Sequence, residues 1–155
     1  MQALLIAIVT WLSANYGLPA NYDLPAIQFA TPLEIATLRY GAFNSQRQSM
    51  VFAAPQSQPA TDASSSVVSV YKDKDHVIVL PIGWQGVTPA ELSILVHEMV
   101  HHLQNVGELK FACPQEREAL AYKAQDQWLQ LFGKDLAGEF ELDAFTILVK
   151  SRCID

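Results

Sequence analysis

The chain has 155 residues, half of them apolar and 17% charged, with a formal net charge of −6. That is enough for one domain with a buried core, and too apolar for a disordered segment. The acidic balance leaves no Lys/Arg cluster to displace counterions from a phosphate backbone, so nucleic acid is not an expected partner.

The opening "MQALLIAIVTWLSANYG" carries no cationic side chain, and the first in the chain is Arg39. It lacks the basic start of a secretory signal and reads as a structural helix, stopped by Gly17 with Pro19 beyond. No apolar run is long enough to cross a membrane. "LPAIQF" (24–29) reads as a short strand, and "TPLEIATLRYG" (31–41) as a helix with Thr31 as N-cap, Pro32 at N1, Glu34 at N3 and Gly41 as the stop. The Pro/Ser/Ala-rich residues 54–66 read as a loop inside one domain rather than a boundary.

"SVVSVY" and "HVIVL", separated by "KDKD", form a predicted β-hairpin. The same helix-start signature then recurs at Thr88, Pro89 and Glu91, with Gly107 as the C′ stop. A further helix is expected from Pro114 to about Phe132, and a last short one within "FELDAFTILVKSRC". The expected fold is α+β: one domain over 1–155, with a small antiparallel or mixed sheet packed against several helices.

The helix after Thr88 contains "HEMVH". His97 and His101, four residues apart, lie about 40° apart around the axis, so both imidazoles can reach one ion. Glu98, about 100° from His97, stands beside that ion, where a base can take a proton from an activated water. Solvated polar residues on an exposed face would be the plainer explanation. This helix, however, is apolar almost all round, with Leu92, Leu95, Met99 and Leu103 opposite the histidines and Ile94 and Val100 flanking them. Zinc is the expected metal.

Two histidines do not complete a catalytic zinc site. An HExxHxxGxxH continuation fails, because Gln104 and Gly107 stand where Gly and His would be needed. His102 points about 140° from His97, and His76 sits on a predicted strand. On the next helix the wheel puts Glu116 on the polar side with Lys123, Asp126, Gln127 and Gln130. It puts Glu118 on the apolar side with Ala121, Tyr122, Trp128, Leu129 and Phe132. A carboxylate on a buried face needs a positive partner: a metal, or else an arginine. Glu118 is the expected third ligand, and the short connection from Gly107 should pack the two helices antiparallel and bring it back towards His101.

"HEMVH" followed by Glu118 one helix later resembles the gluzincin branch of zinc metallopeptidases, in a minimal single-domain form, with Ala121 matching the small residue common three places after the glutamate. The resemblance implies a zincin-like fold, a peptide or protein substrate, and an edge strand just before the active-site helix, here residues 76–84, on which substrate adds as a further strand. It implies zinc held by His97, His101 and Glu118 with Glu98 as general base. No residue matches an oxyanion-stabilising motif, and His102 and Tyr122 are candidates by nearness alone.

The expected function is therefore a zinc-dependent peptidase. The rival is a zinc-binding, peptidase-like sensor or binding module without efficient turnover, against which the intact Glu98 argues. A purely structural zinc site is disfavoured, since such sites are usually closed by four protein ligands. Cys113 and Cys153 are expected to pair, implying a periplasmic or secreted protein. Two buried thiols in a cytoplasmic one are the alternative.

Overall fold

The computed structural model describes residues 1–20, 23–40 and 69–153. The expected stop at Gly41 and loop at 54–66 lie outside the described residues. Among these residues the order is α1 (Gln2–Tyr16), β1 (Ala26–Ala30), α2 (Pro32–Tyr40), β2 (Val70–Lys72), β3 (Val77–Pro81), α3 (Pro89–Val106), α4 (Glu116–Gln130), α5 (Leu136–Phe140) and α6 (Ala144–Ser151). The fold is α+β with a small mixed sheet of order β1-β3-β2.

In the sheet, β2 pairs antiparallel with β3, completing the expected hairpin, and β1 adds in parallel on the other side of β3. The strand before the HExxH helix is therefore central and not the expected edge. The reason is a strand pairing that hairpin spacing cannot reveal: Ala26 to Ala30 register against Val77 to Pro81. β3 shows the consequence of being covered on both faces, since an unbroken apolar run suits a strand with no solvent side. Ile78 and Leu80 enter the main core with α1 and α3, while Val77 and Val79 pack on Ile35 of α2. His76, expected on the strand, instead closes the β2–β3 turn at φ 52°.

The helix starts form as their sequences require. Thr31 N donates to Glu34 Oε2 (2.7 Å) and Glu34 N donates back to Thr31 Oγ1 (3.3 Å). At α3, Thr88 and Glu91 exchange the same pair of bonds, with Pro89 in the first turn. Glu91 also accepts from the backbone N–H groups of Gln85 and Val87, fixing the incoming loop on the helix. α1 turns Leu5, Ile8, Val9 and Leu12 into the core and ends at Gly17, whose φ of 64° suits a residue without a Cβ. Gly107 stops α3 differently from expectation. Its φ is −82°, and the following Glu108 takes the left-handed conformation. Gly107 is needed for space: a Cβ there would meet Leu103 O and Pro19 Cγ, each at 2.9 Å.

α4 begins two residues later than expected and stops before Phe132, which is 50% exposed and takes no part in the buried face. The expected last short helix forms as α6, and an unexpected one, α5, precedes it. Asp135 and Asp143 each cap a helix by accepting from Gly138 N and Thr146 N, and Glu141 breaks the path between them at φ 55°. A disulfide joins Cys113, ahead of α4, to Cys153, after α6. No helix among the described residues is long and apolar enough to cross a membrane.

Candidate metal centre

The middle of α3 is buried without interruption from Ser93 to Gln104, so its polar side chains must find partners inside the protein. Four of them find partners on α4. Ser93 meets Gln125, His97 meets Tyr122 and Gln125, His101 meets Glu118, and Gln104 meets the carbonyl of Arg117. Positions rising along α3 face positions falling along α4, so the helices are antiparallel, as the short connection predicts. Arg117 strengthens the junction, with a two-pronged ion pair to Asp73 in the β2–β3 turn (2.8 and 2.9 Å).

This packing brings His97, His101 and Glu118 together. His97 Nε2 lies 3.2 Å from Glu118 Oε2, His101 Nε2 lies 3.4 Å from Glu118 Oε1, and the two Nε2 atoms are 3.3 Å apart. One ligand atom from each residue falls within 4.8 Å of the others, a spacing that could hold a metal ion. Glu118 Oε2 is buried and has no hydrogen-bond partner. A buried carboxylate oxygen left in that state is costly unless a cation meets it. Two imidazole nitrogens and one carboxylate oxygen are also a suitable donor set for a borderline divalent ion. The residues therefore fit a metal.

The electrostatics agree with this geometry. Burial pushes the Glu118 carboxyl up, but the two imidazoles outweigh it and hold the group well below the usual carboxylate range. Burial disfavours a proton on His101, yet the facing Glu118 carboxylate more than offsets this and raises its proton affinity. The arginine partner considered for Glu118 is also present at longer range: Arg39 Nη2 stands 3.9 Å from Oε2.

Glu98, 2% exposed, projects beside the cluster, and its Oε1 accepts a 2.6 Å bond from Ser69 Oγ at the entrance to β2. Arg39 Nη1 donates to Ser69 O (3.4 Å), so α2, β2 and α3 are linked at this point. Glu98 and Arg39 line two adjoining clefts. On the His97 side the wall is apolar, from Ile94, Tyr122, Phe140 and Leu142. On the His101 side it is formed by Leu38, Val70, Tyr71 and Arg117.

The remaining candidates sit as follows. Tyr122 stacks edge-on against His97, with ring centroids 4.8 Å apart, and lines the apolar cleft. His102 is fully buried on another face of α3. One ring nitrogen bonds Asp23 O (2.8 Å) and the other Tyr71 Oη (3.1 Å), so it joins α3 to the sheet and lies outside the metal cluster. Burial lowers its proton affinity.

Several residues of the site were missed from sequence. Gln125 follows Glu118 by seven positions and lies within about 20° of it on the wheel. Ser93 and Gln104 extend the His97–His101 stripe by four residues before and three after, so the helical period contained a signal for all three. Arg39 and Ser69 come from distant parts of the chain and offered none.

Fold and site thus define an α+β protein with two buried histidines and a part-buried glutamate in a cluster that could hold a metal ion. Residues 45–155 match the family described as Domain of unknown function (DUF6647), and the chain belongs to that family. No curated protein and no solved structure matches the chain. The matched span contains all three cluster residues and Glu98; Arg39 lies before it.

Proposed function

We propose that this protein is a zinc-dependent hydrolase, most specifically a peptidase of gluzincin type with a zincin-like arrangement of sheet and helices. The observation that carries the reading is the convergence of His97, His101 and Glu118, with Glu98 adjacent in sequence to the first ligand and facing the clefts. Three protein ligands leave a coordination position open, as catalytic zinc sites do and structural ones usually do not.

Bound at this cluster, zinc would polarise a scissile carbonyl and bring the pKa of an attacking water towards neutrality. Glu98 would take the proton of that water on its carboxylate and afterwards deliver it to the leaving amine nitrogen. Ser69, donating to Glu98 Oε1, would hold the carboxylate in one orientation through both transfers. The apolar wall of Ile94, Phe140 and Leu142 offers a surface for a substrate side chain and limits water near the reacting bond. The Cys113–Cys153 disulfide supports a periplasmic or secreted site of action.

The test is metal analysis joined to a digestion assay. Purified protein should bind about one zinc per chain and cleave a mixed-peptide library, with cleavage abolished by a chelator and restored by zinc. A protein that takes up no zinc, or whose cleavage ignores the chelator, would reject the reading.

A further inference from the structure

A neutral imidazole presents a lone pair at only one ring nitrogen, so a histidine ligand must be held in the right tautomer as well as the right place. The chain settles this for both histidines through two amide relays. Ser93 Oγ donates to Ala90 O (2.8 Å), which commits its hydroxyl proton, so it can only accept from Gln125 Nε2 (3.3 Å). That fixes the carboxamide: Gln125 Oε1 faces His97 Nδ1 at 3.0 Å. An amide oxygen only accepts, so His97 carries a proton on Nδ1. The second relay is anchored on a backbone carbonyl. Gln104 Nε2 donates to Arg117 O (3.1 Å), and Gln104 Oε1 therefore accepts from His101 Nδ1 (3.1 Å).

We propose that Gln125 and Gln104 are positioning residues that lock His97 and His101 as Nδ1–H tautomers and so aim both Nε2 lone pairs at the point faced by Glu118. The proposal rests on the metal reading of the cluster but not on any hydrolytic activity. The geometry has a consequence of its own. Two Nε2 atoms 3.3 Å apart, both without hydrogen, repel each other and the adjacent carboxylate. Left free, either ring would relieve this by moving its proton to Nε2, and the relays oppose that exchange. Both glutamines are almost wholly buried, at 5% and 1% exposure, so little solvent competes for the amides.

The experiment uses the full chain with 15N-labelled histidine. Two-bond proton–nitrogen spectra of metal-free protein, at a pH where the rings are neutral, read each tautomer directly, and a chelator competition reads zinc affinity. Wild type should show Nδ1–H at His97 and His101. Gln125→Leu should shift His97 towards Nε2–H and weaken zinc binding about 10- to 100-fold. Gln125→Glu keeps an acceptor for Nδ1–H and should retain the wild-type tautomer, separating hydrogen bonding from packing. An Nε2–H ring at either histidine in wild type, or a Gln125→Leu protein with unchanged tautomer and affinity, overturns the proposal. Wild-type protein with both Nδ1–H tautomers and no zinc binding overturns the metal reading instead.

Discussion

Replacing Glu118 with alanine should separate metal binding from folding. Structural zinc sites contribute roughly 10 kcal/mol or more of binding free energy, so one ligand of three represents on the order of 3 kcal/mol, or about 100-fold in Kd. Above the pH at which His101 gives up its proton, where no imidazolium faces Glu118, the folded chain itself should lose little. Glu118 Oε2 makes no hydrogen bond, and its arginine partner, 3.9 Å away and partly exposed, forms a weak pair. The effect should therefore appear in the stabilisation that zinc confers. With free zinc at about 1,000 times the wild-type Kd, binding stabilises the fold by about 4.1 kcal/mol. At the same concentration a variant bound 100-fold more weakly gains about 1.4 kcal/mol. For a domain of this size the missing 2.7 kcal/mol or so is about 5–10 °C in Tm. Differential scanning calorimetry with and without zinc reads both numbers. Equal zinc-induced shifts in wild type and Glu118→Ala would refute the ligand assignment. A large loss of Tm in the metal-free variant would show that Glu118 is principally a structural ion-pair residue.

Other outcomes follow from the same geometry. Zinc must displace the proton that His101 holds with raised affinity, so zinc affinity should fall as pH drops and still be rising above pH ~6.5, the ordinary imidazole value. In the metal-free protein the sign is opposite. The His101–Glu118 attraction is fully present below the unfolded imidazole value and is lost as pH rises through the higher folded one, so stability should decline across that window. A flat profile in calorimetry over both ranges would contradict the coupling. His102→Leu removes the hydrogen bonds that tie α3 to Asp23 O and Tyr71 Oη, which together should cost about 1–3 kcal/mol in urea unfolding while zinc affinity stays at the wild-type value. A drop in zinc affinity would put His102 back among the site residues. Cys113→Ser with Cys153→Ser opens a crosslink of sequence separation 40, and loop-closure entropy predicts a loss of about 4 kcal/mol, measurable as a lower urea midpoint. A loss under about 1 kcal/mol would show that the unfolded chain gains little freedom without the crosslink.

What could be read from the sequence was local. Both Thr–Pro–x–Glu helix starts form as expected because a capping box is complete within four residues. The pairing of His97 and His101 depends only on helical period, and the wheel argument for Glu118 only on the next helix being amphipathic. The reading failed where an outcome is decided by distant chain. β3 became central because β1, some fifty residues earlier, adds to its free edge, and nothing in "HVIVL" separates an edge strand from a central one beyond its unbroken apolarity. The additional helix α5 was missed because Asp135, ahead of "LAGEF", was not recognised as a helix start. Gln125 was legible and overlooked, since it lies on the same face of α4 as Glu118. Arg39 and Ser69 reach Glu118 and Glu98 only through tertiary folding.

The central claim is that Glu98 serves as the base of a zinc hydrolase, and one comparison meets it most directly. Wild-type and Glu98→Gln proteins, loaded with the same amount of zinc, are incubated with a mixed-peptide library and the products read by mass spectrometry. Glutamine preserves the shape of the side chain and an acceptor for Ser69 Oγ but cannot take a proton from water. The account predicts cleavage by wild type, and a loss of at least 100-fold in the zinc-loaded variant, the scale of general-base catalysis. Equal cleavage by the two proteins, or zinc-loaded wild type that cuts nothing in the library, would contradict it.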